Sequence, residues 1–149
     1  MRADEIAEDY PAVSCESGAL DAVRLLAEHR LPGIVVTDSG AAPTAVLPAS
    51  QVVRFLVPGY VLDDPSLAGV LTESMADRVA DKLAGKTVRD LLPRDKPAEP
   101  PVVRGDDTVV EVAALMARNR CPLVAVVERG RMLGVITASR LLQVALAPE

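Results

Sequence analysis

Residues 133–141 read LGVITASRL, and this stretch decides the fold. A glycine opens a short apolar run, the run ends at Thr137, and Ala138 begins a pattern typical of a helix. The threonine hydroxyl suits a helix N-cap. The N–H groups of a helix start also favour an anion, because the helix dipole is positive there. The stretch therefore predicts a strand-to-helix corner that is either a plain cap or part of a ligand site.

The sequence around this corner occurs twice. Residues 13–56 align with residues 103–145 in order and spacing, after a one-residue adjustment near Pro43. Two copies of about 45 residues are too long and too few for a solenoid, so we predict a duplicated unit. The matched pairs include Val13 and Val103, Asp21 and Glu111, Arg30 and Arg120, Pro32 and Pro122, and Val36 and Val126.

Each copy predicts the same order of elements, namely a short strand, a helix, two strands and a second helix. β-branched runs at residues 34–36 and 123–127 predict strands, and each is followed by a turn. A further strand follows at residues 45–47 and 133–136, and a helix then opens at Ala49 and Ala138. The first helix of each copy is predicted from apolar residues at helical spacing: Leu20, Val23, Leu26 and Ala27, then Val109, Val112, Ala113 and Met116.

The repeats set the predicted domain boundaries. Residues 1–56 form repeat one, residues 57–92 a helical connector with a lead-in helix, and residues 93–149 repeat two. An apolar stripe over residues 65–83 predicts that the connector packs on the module. Residues 86–92 predict a short lead-in helix, matched by residues 4–8 before repeat one. Residues 93–101 contain four prolines and predict an extended linker.

Composition narrows the function classes. The net charge is −5 and only three of 149 residues are aromatic, which argues against nucleic acid as a partner. We expect no membrane insertion, because every apolar run is far shorter than the ~20 residues of a spanning helix. The acidic N-terminus is unlike a signal peptide, so we expect a cytoplasmic protein. Cys15 and Cys121 are isolated and predict buried free thiols.

Candidate chemistry outside the corner favours structural interpretations. His29 is the single histidine, and its place at a predicted helix end favours a capping or exposed role. Residues 80–87 fit a loose phosphate-loop pattern, but Gly85 is better explained as a helix stop. The acid pairs at residues 63–64 and 106–107 are expected to cap turns and helix starts. With neither a nucleophile and base nor a metal set, we predict that the protein is not an enzyme.

The duplication and the corner together resemble the cystathionine β-synthase (CBS) domain, whose signature is Gly, two apolar residues, Thr or Ser, two variable residues and Asp. Two units in tandem resemble a Bateman module. The resemblance implies an α/β (α+β) fold of two β-α-β-β-α repeats with pseudo-twofold symmetry and a helical connector. It also implies a non-catalytic regulatory role.

The resemblance further implies a ligand cleft between the repeats that takes AMP, ATP or S-adenosylmethionine. Carried over by position, the site residues are Val135, Thr137, Ser139, Arg140 and Pro122 from repeat two, with Arg30 and Leu31 from repeat one. The sequence departs from the signature, since Arg140 and Gln51 stand where Asp is usual and Pro48 where Thr is usual. We therefore expect an anionic ligand held by Arg140, the Thr137 hydroxyl and the N–H groups of Ala138 and Ser139, with the repeat-one corner empty.

Two functions remain open. In the first, the module senses an adenine nucleotide or other anionic metabolite and signals in trans to an effector protein, an enzyme or a transporter. In the second, a module without ligand binding acts as a dimerising or docking subunit. We expect a homodimer in either case, because many apolar residues lie on the helices. The predicted dimer face comprises Leu25, Val52, Val53, Leu56, Leu141, Leu142 and Leu146.

Overall fold

The computed structural model describes residues 1–38, 42–57, 63, 64, 66, 80–92 and 101–147. Repeat one contains β1 (Ala12–Ser14), α2 (Ala19–Glu28), β2 (Gly33–Thr37), β3 (Pro43–Pro48) and α3 (Ala49–Leu56). Repeat two contains β4 (Val102–Arg104), α5 (Val109–Asn119), β5 (Leu123–Glu128), β6 (Arg131–Thr137) and α6 (Ala138–Leu146). The lead-in helices are α1 (Ala3–Ile6) and α4 (Val88–Leu91). The predicted order of elements is confirmed, and so are the helix starts at Ala49 and Ala138.

Each repeat forms its own three-stranded sheet, in the orders β1-β2-β3 and β4-β5-β6. The first pair of strands is parallel and the second antiparallel in both sheets. The registers also match, because Ala12 lies opposite Val35 just as Val102 lies opposite Ala125. A register irregularity recurs at the same place, between Val36 and Thr37 and between Val126 and Val127.

The helices of each repeat cover one face of its sheet. In repeat one the buried face of α2 is Ala19, Ala22 and Leu26, whereas Leu20 and Val23 are only partly buried. Ala27, which was expected on this face, is exposed. Two alanines on the inner face leave little side-chain volume between the helix and the sheet, so the backbone can approach closely.

The other faces of the two sheets meet in a second apolar layer. Successive strand residues point to opposite faces, so Ile34 and Val36 belong to the core of repeat one while Val35 faces the other repeat. The layer, which we call the inter-sheet cluster, contains Val35, Leu123, Ala125 and Val135, with Tyr10, Val46, Val127 and Met132 packed against it. Strands buried on both faces explain why the sequence shows continuous apolar runs there.

The two lead-in helices are exchanged between the repeats. α1 precedes repeat one, but Ala3 and Ile6 are buried in the core of repeat two. α4 precedes repeat two, yet Val88 and Leu91 are buried in the core of repeat one. The packing therefore crosses the predicted boundaries at residues 56 and 92.

Equivalent backbone hydrogen bonds fix the exchange. The Ala3 N–H donates to the Asp107 carbonyl at 2.8 Å and the Asp4 N–H to the Gly105 carbonyl at 3.0 Å. In repeat one, the Val88 N–H donates to the Ser17 carbonyl at 2.9 Å and the Arg89 N–H to the Cys15 carbonyl at 3.1 Å. Each lead-in helix thus completes the strand-to-helix turn of the repeat that it does not precede.

Most of the predicted connector stripe lies outside the described residues, as does the proline-rich linker over residues 93–100. Residues 80–83 are helical, and Leu83 is buried in the core of repeat one. Gly85 follows with a φ of +73°, a conformation that glycine adopts without a Cβ clash. The interpretation of Gly85 as a helix stop is confirmed. Among the described residues, no helix combines the length and apolarity that crossing a bilayer would need.

Candidate functional site

The predicted corner of repeat two is built around Thr137, at the junction of β6 and α6. Its side chain is 4% exposed and is the one buried polar residue of the described chain. Its Oγ1 accepts a hydrogen bond from the Arg140 N–H at 3.1 Å, which confirms the N-cap. The cap leaves the Thr137 hydroxyl proton available to a second acceptor, since a hydroxyl can donate and accept at once.

Pro122 ties this corner to the start of β5. The Ala138 N–H donates to the Pro122 carbonyl at 3.0 Å, and Leu123 lies opposite Thr137 in the sheet. The Ala138 N–H is therefore already used, which removes it from the donors expected to hold an anion. The repeat-one corner has the same tie, from the Ala49 N–H to the Pro32 carbonyl at 3.0 Å, but Pro48 supplies no side-chain cap.

Arg140 lies in the first turn of α6 and is partly buried. Its Nε donates to the Ile6 carbonyl at 3.2 Å, and its Nη1 donates to Gln143 Oε1 at 3.1 Å. A guanidinium carries five N–H groups. The others have no partner among the residues that the structure describes. Arg140 is thus a partly buried cation whose Nε and Nη1 are hydrogen-bonded and whose remaining N–H groups can donate to a further acceptor.

Gln51 makes the corresponding contact in repeat one. Its Nε2 donates to the Leu91 carbonyl at 3.4 Å. Ile6 and Leu91 are the last residues of α1 and α4, so both side chains satisfy a carbonyl that a helix end leaves without an intrahelical partner. Sequence reasoning missed this contact. The sequence did carry a signal for it, because two side chains that donate hydrogen bonds, Gln51 and Arg140, stand at equivalent positions of the two repeats.

Val135 presents its side chain to the inter-sheet cluster, and its backbone pairs with the segment after α1. Glu8 and Val135 exchange two hydrogen bonds, at 2.9 and 2.8 Å. Gly134 is required beside this pairing, because a Cβ there would lie 2.8 Å from the Glu8 carbonyl oxygen. Residues 7 and 8 therefore run along the edge of β6, a neighbour of the corner that sequence reasoning did not identify.

The remaining predicted site residues make no hydrogen bond to this group among the described residues. Ser139 is exposed in the first turn of α6. Arg30 is exposed with a φ of +51°, and Leu31 is buried in the core of repeat one. No hydrogen bond or core cluster of the described residues joins Arg30 or Leu31 to Thr137. The structure thus brings together Pro122, Thr137 and Arg140. Val135 lies two residues before Thr137 on β6.

Other candidate groups have structural roles. The Asp107 side chain accepts from the Arg104 N–H at 2.8 Å, which confirms its capping role. The guanidinium of Arg104 lowers the pKa of Asp106 through a hydrogen bond and its charge. Burial raises the pKa of the free thiol of Cys121. Across the described residues, no group of three or more His, Cys, Asp or Glu side chains could hold a metal ion.

An open depression of about 300 Å³ lies at the opposite end of β5 and β6 from the corner. Its lining alternates positive and negative side chains, and Arg104 pairs with Asp106 across part of it at 3.4 Å. Arg104 is paired with Asp106 and Arg129 is exposed, so the depression lacks the partly buried cation that the corner provides. The lining residues are Arg104, Gly105, Asp106, Val127, Glu128 and Arg129.

The seven residues of the predicted dimer face differ in accessibility. Val53 and Leu142 are 60% exposed and Leu146 is 81% exposed. Val52 is buried in the core of repeat one, which removes it from any dimer face. Leu25, Leu56 and Leu141 are partly buried against the cores of their own repeats.

Comparisons with known proteins agree with this architecture. A family model described as the CBS domain matches residues 88–147. A crystal structure of a CBS domain-containing protein of unknown function from Kribbella flavida DSM 17836 is 62% identical, covers 99% of each chain and has a TM-score of 0.87. No match was found among the curated proteins.

Two more distant structures share the fold. CBSX2 from Arabidopsis thaliana is 21% identical over 97% of this chain and 94% of its own, with a TM-score of 0.73. CBSX2 has also been solved in complex with AMP. The CBS domain of the bacterial CNNM/CorC family Mg2+ transporter, in complex with ATP, is 18% identical over 96% and 85% of the two chains, with a TM-score of 0.64.

The identity and coverage of the Kribbella flavida protein, together with the duplicated sheets, decide the family. The chain belongs to the CBS-domain family, and its two repeats form a CBS pair.

Proposed function

We propose that this CBS pair is a regulatory module that binds an anionic metabolite, with adenine nucleotides as the leading class, at the corner of repeat two. The observation that carries the proposal is the partly buried guanidinium of Arg140, which keeps N–H donors unfilled beside the N-terminus of α6. A phosphate there would gain charge-assisted hydrogen bonds. The complexes of CBSX2 with AMP and of the transporter CBS domain with ATP support the choice of class.

The donors available at the corner define how the anion is held. Arg140 supplies the charge, and the Thr137 hydroxyl and the Ser139 N–H supply neutral donors at the helix start. Pro122 and Val135 adjoin these donors. Arg30 and Leu31 are assigned to the site by the family resemblance alone, since no described contact joins them to the corner. Repeat one lacks an equivalent, because Gln51 is neutral and Pro48 has no hydroxyl. The proposal therefore assigns one ligand site to each chain.

The proposed output is a change sensed in trans by an effector, an enzyme or a transporter, in a cytoplasmic setting. The proposal assigns no catalytic step to the module. S-adenosylmethionine is the alternative adenosine ligand, but its sulfonium charge is positive, so Arg140 favours a nucleotide over it.

A thermal-shift panel tests this function. AMP, ATP, GMP, GTP, S-adenosylmethionine and adenosine are each added to the full chain. A ligand at 100 times its dissociation constant stabilises the folded state by about 2.7 kcal/mol. We expect stabilisation by AMP or ATP and a much smaller effect of adenosine, which lacks phosphate. If no compound in the panel raises Tm, the proposed ligand class is wrong.

The exposed residues of α3 and α6 favour a second function, that of a dimerising or docking subunit. Val53 and Leu142 occupy equivalent positions in the two repeats, and both are 60% exposed. Two copies facing each other through these helices would bury both patches in a symmetric contact. Sedimentation of the wild type and of Leu142→Glu tests this candidate. A dimer that Leu142→Glu converts to a monomer supports it, and a monomeric wild type at tens of micromolar contradicts it.

A further inference from the structure

Arg140 connects the proposed anion site to a helix that leads into the other repeat. Its Nε donates to the carbonyl of Ile6, the last residue of α1. α1 packs on repeat two, while the chain after it enters β1 of repeat one at Ala12. One side chain of repeat two thus holds the segment that begins repeat one.

The segment between α1 and β1 contacts both repeats. Glu8 pairs with Val135 of repeat two through two backbone hydrogen bonds. Tyr10 packs against both the core of repeat one and the inter-sheet cluster. A change in how α1 packs on repeat two would therefore alter the contacts of residues 7–12 with both repeats.

The equivalent contact in repeat one has no charge. Gln51 donates to the Leu91 carbonyl at 3.4 Å, as Arg140 does to Ile6 at 3.2 Å. An anion attracts the guanidinium far more strongly than it attracts a neutral amide. An anion at the corner would bind the unfilled N–H groups and pull the whole guanidinium toward itself, which lengthens the Nε bond to Ile6. Gln51 carries no charge and stays on its carbonyl whether or not an anion is present.

We propose that anion binding draws Arg140 away from the Ile6 carbonyl and loosens the docking of α1 on repeat two. Occupancy of repeat two is then transmitted to repeat one through residues 7–12. This inference rests on the proposed function, because it needs an anion at the corner. The Ile6 carbonyl loses its partner when the anion binds, and α4 remains docked because Gln51 does not respond.

Amide hydrogen exchange on the full chain tests this coupling, with AMP at saturation as the probe and calorimetry run in parallel. We expect AMP to speed exchange in residues 3–8 by roughly ten- to a hundredfold, the size expected for the loss of one hydrogen bond from a charged donor. Residues 88–91 are the internal control and should not change. AMP binding without faster exchange in residues 3–8 overturns the coupling and leaves the proposed function standing. Absence of AMP binding, with no binding of ATP either, overturns both.

Two variants test the contact in the absence of ligand. Arg140→Gln gives repeat two the side chain of repeat one and keeps a donor for Ile6, so its ligand-free exchange should match the wild type and its AMP response should vanish. Arg140→Leu removes the donor, so residues 3–8 should exchange faster without AMP. Protection of β5 and β6 reports whether the variants fold. Unchanged ligand-free exchange at residues 3–8 in a folded Arg140→Leu protein overturns the proposal.

Discussion

Arg140 and Gln51 occupy equivalent positions in the two repeats, and each makes the same contact with the lead-in helix that packs on its own repeat. Each side chain donates to the last carbonyl of an exchanged lead-in helix, Arg140 to Ile6 at 3.2 Å and Gln51 to Leu91 at 3.4 Å. The position at which the family signature carries an acid has thus become a donor in both repeats. Only one of the two donors is charged, which makes the repeats chemically unequal despite matching registers.

Gly134→Ala should destabilise the protein by about 1 to 3 kcal/mol, the usual cost of forcing an atom into a packed region. The new Cβ would lie 2.8 Å from the Glu8 carbonyl oxygen, a backbone atom with little room to move. Urea unfolding measures the change. Gly105→Ala is the matched control, because its nearest contact is an ordinary 3.4 Å and the expected change is under about 0.5 kcal/mol. Equal stabilities of the two variants would contradict the close approach of residues 7 and 8.

Thr137→Val should cost about 0.5 to 2 kcal/mol of stability, because the isosteric side chain no longer caps the Arg140 N–H. We also expect weaker AMP binding, because the corner loses a hydroxyl donor. Thr108→Val is the control. Its hydroxyl caps α5 by accepting from the Glu111 N–H at 3.2 Å, away from the corner. The control should lose stability and keep its AMP affinity. Loss of affinity in both variants would indicate a general effect of folding rather than a role for Thr137.

Arg120→Gly should stabilise the protein by up to about 1 kcal/mol. Arg120 ends α5 with a φ of +50°, and a left-handed conformation costs a residue with a Cβ roughly 1 to 2 kcal/mol. The greater unfolded-state entropy of glycine offsets part of that gain. Arg118→Gly removes the same side chain two residues earlier, inside the helix, and should destabilise by up to about 1 kcal/mol. Thermal unfolding of both variants shows whether each substitution raises or lowers the stability of the folded state. Two changes of the same sign would contradict the left-handed end of α5.

Cys121 should react slowly with iodoacetamide at pH 8. Burial raises the pKa of its thiol, so a smaller fraction is thiolate, the reactive form. Its rate should continue to rise as the pH is increased past 9. Mass spectrometry of the Cys121 peptide follows the reaction, with the urea-unfolded chain as the reference. Equal rates in folded and unfolded protein would show that the thiol is not shielded.

The sequence predicted the elements and the corner well because both depend on local patterns. Periodicity marks the helices and strands, and the duplication supports each assignment twice. The cap at Thr137 follows from a hydroxyl at a helix start, a local rule that the structure confirms. The matching registers of the two sheets are the structural counterpart of the aligned repeats.

The exchange of the lead-in helices could not be predicted in the same way. α1 and α4 are four residues each, and their buried residues, such as Ile6 and Leu91, would fit the apolar core of either repeat. The partners of Arg140 and Gln51 are backbone carbonyls, which every residue carries and no sequence pattern marks. The buried face of α2 contains Ala19 and Ala22 rather than Ala27. Hydrophobicity does not distinguish these alanines, because it does not show where small residues allow close packing.

Calorimetric titration of AMP into the wild type and Arg140→Ala tests the central claim most directly. Charge-assisted hydrogen bonds are worth about 1.5 to 3 kcal/mol, so the account predicts that Arg140→Ala weakens AMP binding by more than tenfold. It also predicts one site per chain and an affinity that Gln51→Ala leaves unchanged. Equal AMP affinity in the wild type and Arg140→Ala, or binding that depends on Gln51 instead, would contradict an anion site at the corner of repeat two.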